Sequence, residues 1–332
     1  GDLFPLAPND PAARRLFLAT LLERSQYEVG LENRLTSSED PADGPTARDI
    51  AAKFGVANLL DVLNEQLAED RIVGALASCR LLGEIGNAEV LWHRDPSPSL
   101  LAQCAAHPDP RLRFAGLEAL VRLAPKDKPF PGAALISQGI EHFAHYGGTL
   151  RAVVAETRPS NAQSHVGLLA QLGFDGIPVS NGRDCIRQAV ESADVAFILL
   201  DATLPNAPPD ILIQKIRHDP RSARLPIGLI APVNRLDEVR RLAQRFPRTT
   251  VMVRPHNVEA MDMQLDTLFA TAAREMIGPE ERMLHARQAL AWMAEITRDP
   301  NHYAFYDLRQ LDAVLEPVLF VPELMADAAI SS

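Results

Sequence analysis

The chain has 332 residues, of which 47% are hydrophobic and 23% are charged. This is the composition of a globular protein with two or three separately packed domains, and it excludes a disordered or collagen-like chain. The formal net charge of −10 would repel a polyphosphate, so we expect no nucleic-acid partner.

The longest uninterrupted apolar run, residues 195–200, has the length of a β-strand and is far shorter than a transmembrane helix. We therefore expect no membrane contact and a cytoplasmic location. The first residues lack the features of a signal peptide and the last ones read as mid-helix, so we expect a fragment whose targeting signal or anchor would lie outside it. Three scattered cysteines predict neither a disulfide framework nor a zinc site.

Helical periodicity dominates the first part of the chain. Apolar residues recur at spacings of three and four through residues 11–146, as at Leu18, Leu21 and Leu22, which predicts an α-helical domain over residues 1–147. Clusters of proline and glycine between these stretches predict short helices with short connections.

An internal repeat is visible within this helical part. Residues 73–82 and 114–123 match at a shift of 41 residues, with their apolar positions in register. A period of about 40 residues is typical of two-helix α-solenoid repeats. Residues 107–120, which begin His-Pro-Asp-Pro-Arg-Leu-Arg-Phe-Ala, resemble the turn and second helix of a HEAT repeat, with its pattern Asp-Pro-x-Val-Arg-x-x-Ala. The resemblance implies HEAT-like repeats; a plain helical bundle is the alternative.

From residue 149 the pattern changes to short apolar runs that alternate with amphipathic stretches, which is typical of a parallel α/β sheet. The predicted strands are 150–155, 176–179, 195–200, 226–231 and 249–253. The predicted helices are 162–172, 183–192, 211–218, 236–246 and 258–273. Together they predict a doubly wound, five-stranded domain over residues 148–276, with functional loops at the carboxyl ends of its strands. Residues 277–332 read as helical again, as the start of further HEAT-like repeats.

The middle domain resembles the receiver domain of response regulators over nearly all of its length. The strongest match is residues 195–205, Val-Ala-Phe-Ile-Leu-Leu-Asp-Ala-Thr-Leu-Pro, followed by the landmarks Lys-Ile-Arg at 215–217, Asp-Pro at 219–220 and Leu-Pro-Ile at 225–227. The resemblance implies a flavodoxin-like fold, with Asp201 in the place of the phospho-acceptor. It also puts Arg254 and Pro255 in the place of a Lys-Pro pair that is joined by a cis peptide bond.

Several parts of a phosphoryl-transfer site are missing from this pattern. Such a site needs a carboxylate nucleophile, Mg²⁺ held by further carboxylates, a lysine, a hydroxyl group and an aromatic switch residue. Here Glu156 is the single acid after the first strand, Ala231 replaces the hydroxyl residue, and Val251 replaces the aromatic one. Arg254 stands for the lysine, and the two cations differ in shape and hydration. The sequence therefore predicts a degenerate receiver with a vestigial pocket.

The roles of the remaining pocket residues stay open at this point. Asp201 either accepts a phosphoryl group or caps the loop that follows its strand. Glu156 is either a solvated loop acid or, with Asp201, a weak candidate for a metal ligand. Arg254 either pairs with one of these carboxylates, which would fill the pocket with a fixed contact, or remains solvated.

Four arginines fall on one side of the predicted fourth helix of this domain, at about 100° per residue: Arg240, Arg241, Arg245 and Arg248. This basic face either docks an acidic surface, on a partner or on the protein's own helical blocks, or is simply solvated. His142 and His145 have the spacing of a metal pair, but no third ligand with matched spacing follows, so we interpret them as polar helix residues.

These features favour a non-enzymatic interaction or signalling scaffold with a receiver-like domain that works without phosphorylation and without a cofactor. The alternative is a working phospho-switch that uses Asp201 as phospho-acceptor and Mg²⁺ as cofactor. A metal-dependent enzyme is a third class, which the lost acid after the first strand disfavours. No common nucleotide-binding or hydrolase motif occurs in the chain.

Overall fold

The computed structural model describes residues 10–24, 31, 45–92, 98–125, 128–145, 148–204, 208–270, 277–299, 311–318, 321–322 and 324. The chain divides into two compact units. The first comprises Gly1–Gly139 and Asp299–Asp307, and the second comprises Ile140–Arg298 and Leu308–Ser332. No helix in the described part of the chain combines the length and apolar character needed to cross a membrane.

The main described elements of the first unit are helices. Its helices are α1 (Pro11–Arg24), α2 (Ala47–Ala68), α3 (Ile72–Ile85), α4 (Leu100–Ala105), α5 (Pro110–Leu123) and the first half of α6 (Ala134–Ala144). Side-chain caps mark the first residues of α2 and α5. Thr46 and Asp49 form a capping box at the start of α2, and the Asp109 carboxylate accepts hydrogen bonds from the first backbone N–H groups of α5.

The two stretches of the internal repeat lie in α3 and α5, which pack closely against each other. A Cβ atom built on Gly83 of α3 would lie 3.0 Å from Cα of Ala119 in α5, which is too close for an ordinary contact. The two helices can come this close because glycine has no side chain. The shared apolar pattern of the two helices therefore serves a shared interface.

The second unit is built on a parallel sheet. Its strands are β1 (Arg151–Ala155), β2 (Asp175–Val179), β3 (Val195–Asp201), β4 (Ile227–Ala231) and β5 (Thr249–Val253). Their order is β2-β1-β3-β4-β5, and every neighbouring pair is parallel. The predicted doubly wound, flavodoxin-like sheet is confirmed, with each strand within one residue of its predicted bounds. All seven residues of the central strand β3 are buried, which explains its uninterrupted apolar run.

Helices cover both faces of this sheet. They are α7 (Pro159–Gln171), α8 (Gly182–Glu191), α9 (Pro209–His218), α10 (Leu236–Ala243) and α11 (Val258–Ala270). Two further helices of the unit follow along the chain, α12 (Pro279–Arg298) and α13 (Leu311–Val318). Ile198 and Leu200 of β3 pack in one core with residues of α8, α9 and α10. Phe197 and Leu199 point the other way, into a core shared with α7 and α11. This alternation is what a strand buried on both faces requires.

The fourth helix of the domain, α10, is shorter than predicted. It ends at Ala243, so Arg245 and Arg248 lie in the turn that follows it. The prediction that four arginines share one helical face is therefore wrong. The physical reason is Pro247, since a proline disfavours helical backbone in the residue before it, and Arg248 then adopts a positive φ of 53°.

A half-buried arginine connects the loops at the amino edge of the sheet. The guanidinium of Arg217, in α9, donates hydrogen bonds to backbone carbonyls and to one hydroxyl of the loops before β4 and β5: Ala223, Leu225, Pro247, Arg248 and Thr249. Burial, with a further contribution from the charge of Arg248, lowers the pKa of Arg217 to about 10. Arg217 belongs to the Lys-Ile-Arg landmark of the sequence pattern, and its role in the structure is to donate hydrogen bonds to these backbone carbonyls.

The end of α6 and the helix α12 pack on the same unit. His142 is buried and its Nδ1 lies 3.1 Å from the Val190 carbonyl oxygen. Arg282 of α12 forms a buried ion pair with Asp194, in the loop before β3, and donates a hydrogen bond to the Gly148 carbonyl. The helix Pro279–Arg298 therefore groups with the sheet; the division into three sequence blocks stays a prediction.

Candidate functional site

Three polar side chains meet at the carboxyl edge of the sheet. Asp201 is the last residue of β3, Glu156 follows β1, and Arg254 follows β5. The parallel register aligns Ala155 with Leu200, so the first two side chains emerge from neighbouring strand ends. This edge is where open α/β sheets place their functional residues.

Arg254 joins both carboxylates. Its Nη1 lies 2.6 Å from Oε2 of Glu156, and its Nη2 lies 2.7 Å from Oδ2 of Asp201. The fixed fork of a guanidinium matches two acceptors in this way, which the point charge of a lysine does not. The ion pair that the sequence left open is thus present with both acids. The two carboxylates are almost completely buried, and the Arg254 side chain is 26% exposed.

Ala231 explains how Arg254 reaches so far. The strand β4 lies between β3 and β5, and neighbouring strands are about 4.8 Å apart. Ala231 ends β4 opposite Val253, directly before Arg254. Because its side chain is a single methyl group, the Arg254 side chain can cross the end of β4 to the acids. The residue that removes a hydroxyl from the pocket also makes room for the arginine.

The second oxygen of Asp201 is also bonded. Its Oδ1 accepts hydrogen bonds from the backbone N–H and the hydroxyl of Thr203, both at 2.6 Å. Burial raises the pKa of this carboxyl, but the hydrogen bonds from Thr203 and Arg254 outweigh burial, and the net effect is a lowered pKa. Asp201 is therefore ionised at neutral pH, and it caps the loop that follows its strand.

Glu156 is held in a similar way. Its Oε1 accepts a hydrogen bond from the Arg158 N–H, while its own backbone N–H donates to the Val179 carbonyl oxygen. The residue is only 4% exposed, so its interpretation as a solvated loop acid is wrong. The reason is Arg254, which supplies the positive charge that a buried carboxylate requires.

This arrangement does not fit Mg²⁺. The ion needs near-octahedral coordination by oxygen atoms, and it usually draws these from several carboxylates, carbonyls and waters. Here one oxygen of each acid is bonded to a guanidinium, which would repel a divalent cation. No group of three or more potential metal-ligating side chains occurs among the described residues.

The peptide bond between Arg254 and Pro255 is trans, since no cis bond occurs in the described part of the chain. The expectation of a cis bond, which came from the resemblance to receivers, is therefore wrong. The trans form is the ordinary preference of an X-Pro bond.

Sequence reasoning missed a buried histidine near this cluster. His165, in α7, is 1% exposed, and its Nδ1 has no hydrogen-bond partner among the residues that the structure describes. Burial, the charge of Arg254 and that of His256 lower its pKa to about 4, although Asp201 acts in the opposite direction. The burial of His165 could have been predicted from helical periodicity, because Ala162, His165 and Leu169 form the buried stripe of α7.

We expect His165 to make the α/β domain acid-sensitive. The unfolded chain takes up a proton near pH 6.5, whereas the folded protein does so only near pH 4, so acidification across this interval costs about 3 kcal/mol of stability. Stability can be measured as hydrogen-exchange protection of β3 at several pH values. His165→Phe should not lose this stability on acidification, because phenylalanine takes up no proton. If both proteins lost the same stability between neutral pH and pH 4, His165 would not be the cause of the acid sensitivity.

The predicted basic residues have different surroundings. Arg240 pairs with Asp237 at 2.9 Å, and Arg241 donates from Nε to the Asp237 carbonyl oxygen at 3.3 Å. The Arg245 guanidinium lies 5.7 Å from the centre of the Phe246 ring. The Arg248 carbonyl accepts from Arg217, as described above. The structure therefore brings together the pocket residues but spreads the basic ones over a helix and a turn.

The fold and the site together define the class of domain. A five-stranded parallel sheet of order 2-1-3-4-5, with an acid at the end of its third strand, has the flavodoxin-like architecture of response-regulator receivers, as the sequence predicted. A scan of family models finds no match, and a search of curated proteins finds none either.

Three solved structures illustrate what the α/β part of this chain resembles. A chemotaxis response regulator of Vibrio cholerae is 16% identical, with 36% of this chain and 98% of that chain covered and a TM-score of 0.32. The receiver domain of a sensor histidine kinase from Pseudomonas aeruginosa is 21% identical, with 38% and 98% covered and a TM-score of 0.33. A sensor protein from Polaromonas is 22% identical, with 38% of this chain and 98% of that chain covered and a TM-score of 0.32. The likeness concerns the fold.

Proposed function

We propose that the receiver-like domain is a signalling module that binds a protein partner and catalyses no reaction. The observation that carries this proposal is the double ion pair of Arg254 with Glu156 and Asp201. A receiver-type site transfers a phosphoryl group to a carboxylate oxygen that is free to attack it, with a metal ion beside it. Arg254 engages one Asp201 oxygen and takes the place of the metal.

The other Asp201 oxygen is no better placed for attack. It already accepts two hydrogen bonds from Thr203, and both would have to lengthen before this oxygen could approach phosphorus. The pocket also lacks a hydroxyl at Ala231 to receive a phosphoryl oxygen. In this proposal the former transfer site holds the loops of the carboxyl edge in one arrangement, and the domain uses neither Mg²⁺ nor another cofactor.

A phospho-switch is the second candidate function. What favours it is Asp201 itself, a carboxylate at the end of β3 whose lowered pKa keeps it in the nucleophilic, ionised form. In that case phosphorylation would break the contact with Arg254 and release the arginine to a new position.

Phosphodonor labelling distinguishes the two functions. The protein is incubated with acetyl phosphate and Mg²⁺ and weighed intact by mass spectrometry, together with the variant Asp201→Asn. We expect no adduct on either protein, because the attacking oxygens are engaged. An acid-labile phosphoryl adduct on the unmodified protein that is absent from Asp201→Asn would replace the proposal with the phospho-switch.

For the first unit we propose a HEAT-like scaffold without enzymatic activity. Its support is the match between α3 and α5, the close packing of Gly83 on Ala119, and the Asp109 cap at the Asp-Pro turn. Superposition of the helix pairs in a crystal structure of the full chain tests this proposal. In HEAT-like repeats the pair α2–α3 superimposes on the pair α4–α5 with its core positions in register, whereas a plain bundle gives no such superposition.

A further inference from the structure

A groove beside the site is not used by the proposed function. It has a volume of about 350 Å³ and lies between the start of α9 and the helix α10. Its apolar lining comes from Ala202, Pro209, Val239 and Leu242. Ala202 directly follows Asp201, so the groove opens next to the carboxyl edge of the sheet.

The charged side chains that line the groove differ in whether they form ion pairs. Arg235 and Glu238 form an ion pair at 2.7 Å. In contrast, Arg241 and Arg245, which also line the groove, form no ion pair with a carboxylate in the described part of the chain. With Asp210 as the other acid, three guanidinium groups face two carboxylates, so the groove keeps an excess of positive charge next to its apolar surface.

Exposed apolar side chains adjoin the groove in sequence. Val233, two residues before Arg235, is 74% exposed, and Ile211, next to Asp210, is 40% exposed. Each is close in sequence to a residue that lines the groove, and both add exposed apolar surface to this part of the domain. The lining residues of the groove come from α9, α10 and the segments next to them, and none of those described belongs to β5.

We propose that this groove binds a protein segment in which carboxylates flank an apolar side chain. The inference rests on the proposed function, since it names the partner of the interaction module. Bidentate bonds from Arg241 and Arg245 fit carboxylates, and Val239 and Leu242 offer the surface on which an apolar side chain is buried. A polyphosphate fits less well, because Asp210 and Glu238 would repel it and because it has no apolar group to bury against the apolar lining.

Fluorescence anisotropy tests the groove with the full chain and a labelled synthetic peptide in which glutamate and leucine alternate at helical spacing. We expect saturable binding that weakens about tenfold in the double variant Arg241→Gln/Arg245→Gln, because close charge pairs at an interface carry much of the affinity. The control variant Arg187→Gln/Arg240→Gln removes the same charge outside the groove and should change the affinity less than twofold. Replacing leucine by serine in the peptide should also weaken binding.

Methyl NMR locates the bound peptide. We expect shifts at Ala202, Val239 and Leu242 and none in β2. A flat titration, or equal weakening in both double variants, would overturn the groove assignment, and so would tighter binding of a DNA oligonucleotide at the same methyl groups. Phosphodonor labelling is read separately: an adduct on Asp201 refutes the proposed function, whereas a flat titration without an adduct refutes only the groove.

Discussion

Replacing Arg254 with methionine should lower the stability of the α/β domain by about 3 kcal/mol at neutral pH. The substitution removes the shared cation and leaves Glu156 and Asp201 buried side by side. Removal of one partner from a buried ion pair costs about 3–5 kcal/mol, and the partial exposure of Arg254 places this case at the low end, because water can enter. Hydrogen-exchange protection of β3 and β5 in the full chain measures the loss.

The pH dependence of the stability lost in Arg254→Met tests the ion pair more specifically than the size of the loss at neutral pH. In the unmodified protein the lowered pKa of Asp201 stabilises the fold above the pKa of the unfolded chain, and this stability is lost as the pH falls through the folded pKa. Without Arg254, repulsion between the two acids raises the pKa of one of them, so that mild acid stabilises the variant. The difference between the two proteins should therefore narrow from pH 7 to pH 5.

Arg187→Met is the matched control for this substitution. Arg187 pairs with Asp184 at 3.3 Å, but both side chains are largely exposed, so the change should leave the stability of the domain nearly unchanged. If Arg254→Met were equally mild, the guanidinium would contribute no more than a surface ion pair, and the closed pocket would lose its physical basis.

Replacing Arg282 with methionine should destabilise the second unit more, by about 3–5 kcal/mol. Its ion pair with Asp194 is almost completely buried on both sides, and it links α12 to the loop before β3. Without the guanidinium, the Asp194 carboxylate keeps its desolvation cost and loses the charge of Arg282 beside it. Faster hydrogen exchange in α12 and β3 should report the change.

A double variant separates charge from packing at this position. Arg282→Met/Asp194→Asn replaces the pair by two neutral side chains, and it should recover part of the lost stability because no charge remains buried. Arg240→Met removes an exposed partner of Asp237 and should be close to neutral. A double variant as unstable as the single one would show that packing, and not the buried charge, dominates.

The sheet was predictable because its signal is local. The apolar run that ends at Asp201 needs burial on both faces, and its neighbours alternate with amphipathic helices at the spacing of βα units. The end of α10 was less predictable, since propensity over 236–246 favours a helix and only Pro247 opposes it. Short-range patterns therefore fixed the strands better than the helix ends.

The contacts of the site depend on positions far apart in the sequence. Arg254 was recognised from its place in the receiver pattern, but its double ion pair depends on the small Ala231 between the strands, a geometric condition that no single stretch reveals. Asp194 and Arg282 are 88 residues apart, and neither belongs to a motif. His165 was predictable from helical periodicity as a buried residue, but its proximity to Arg254 was not.

Because the cation of this pocket is covalently part of the polypeptide, its local concentration is the same in every cellular environment. A site that depends on a dissolved divalent ion responds to chelators and to changes in ion supply, whereas Arg254 cannot be diluted or extracted. The conformation of this loop region should therefore be insensitive to EDTA. Under the proposed function, any signal that the domain transmits arrives through binding at its surface.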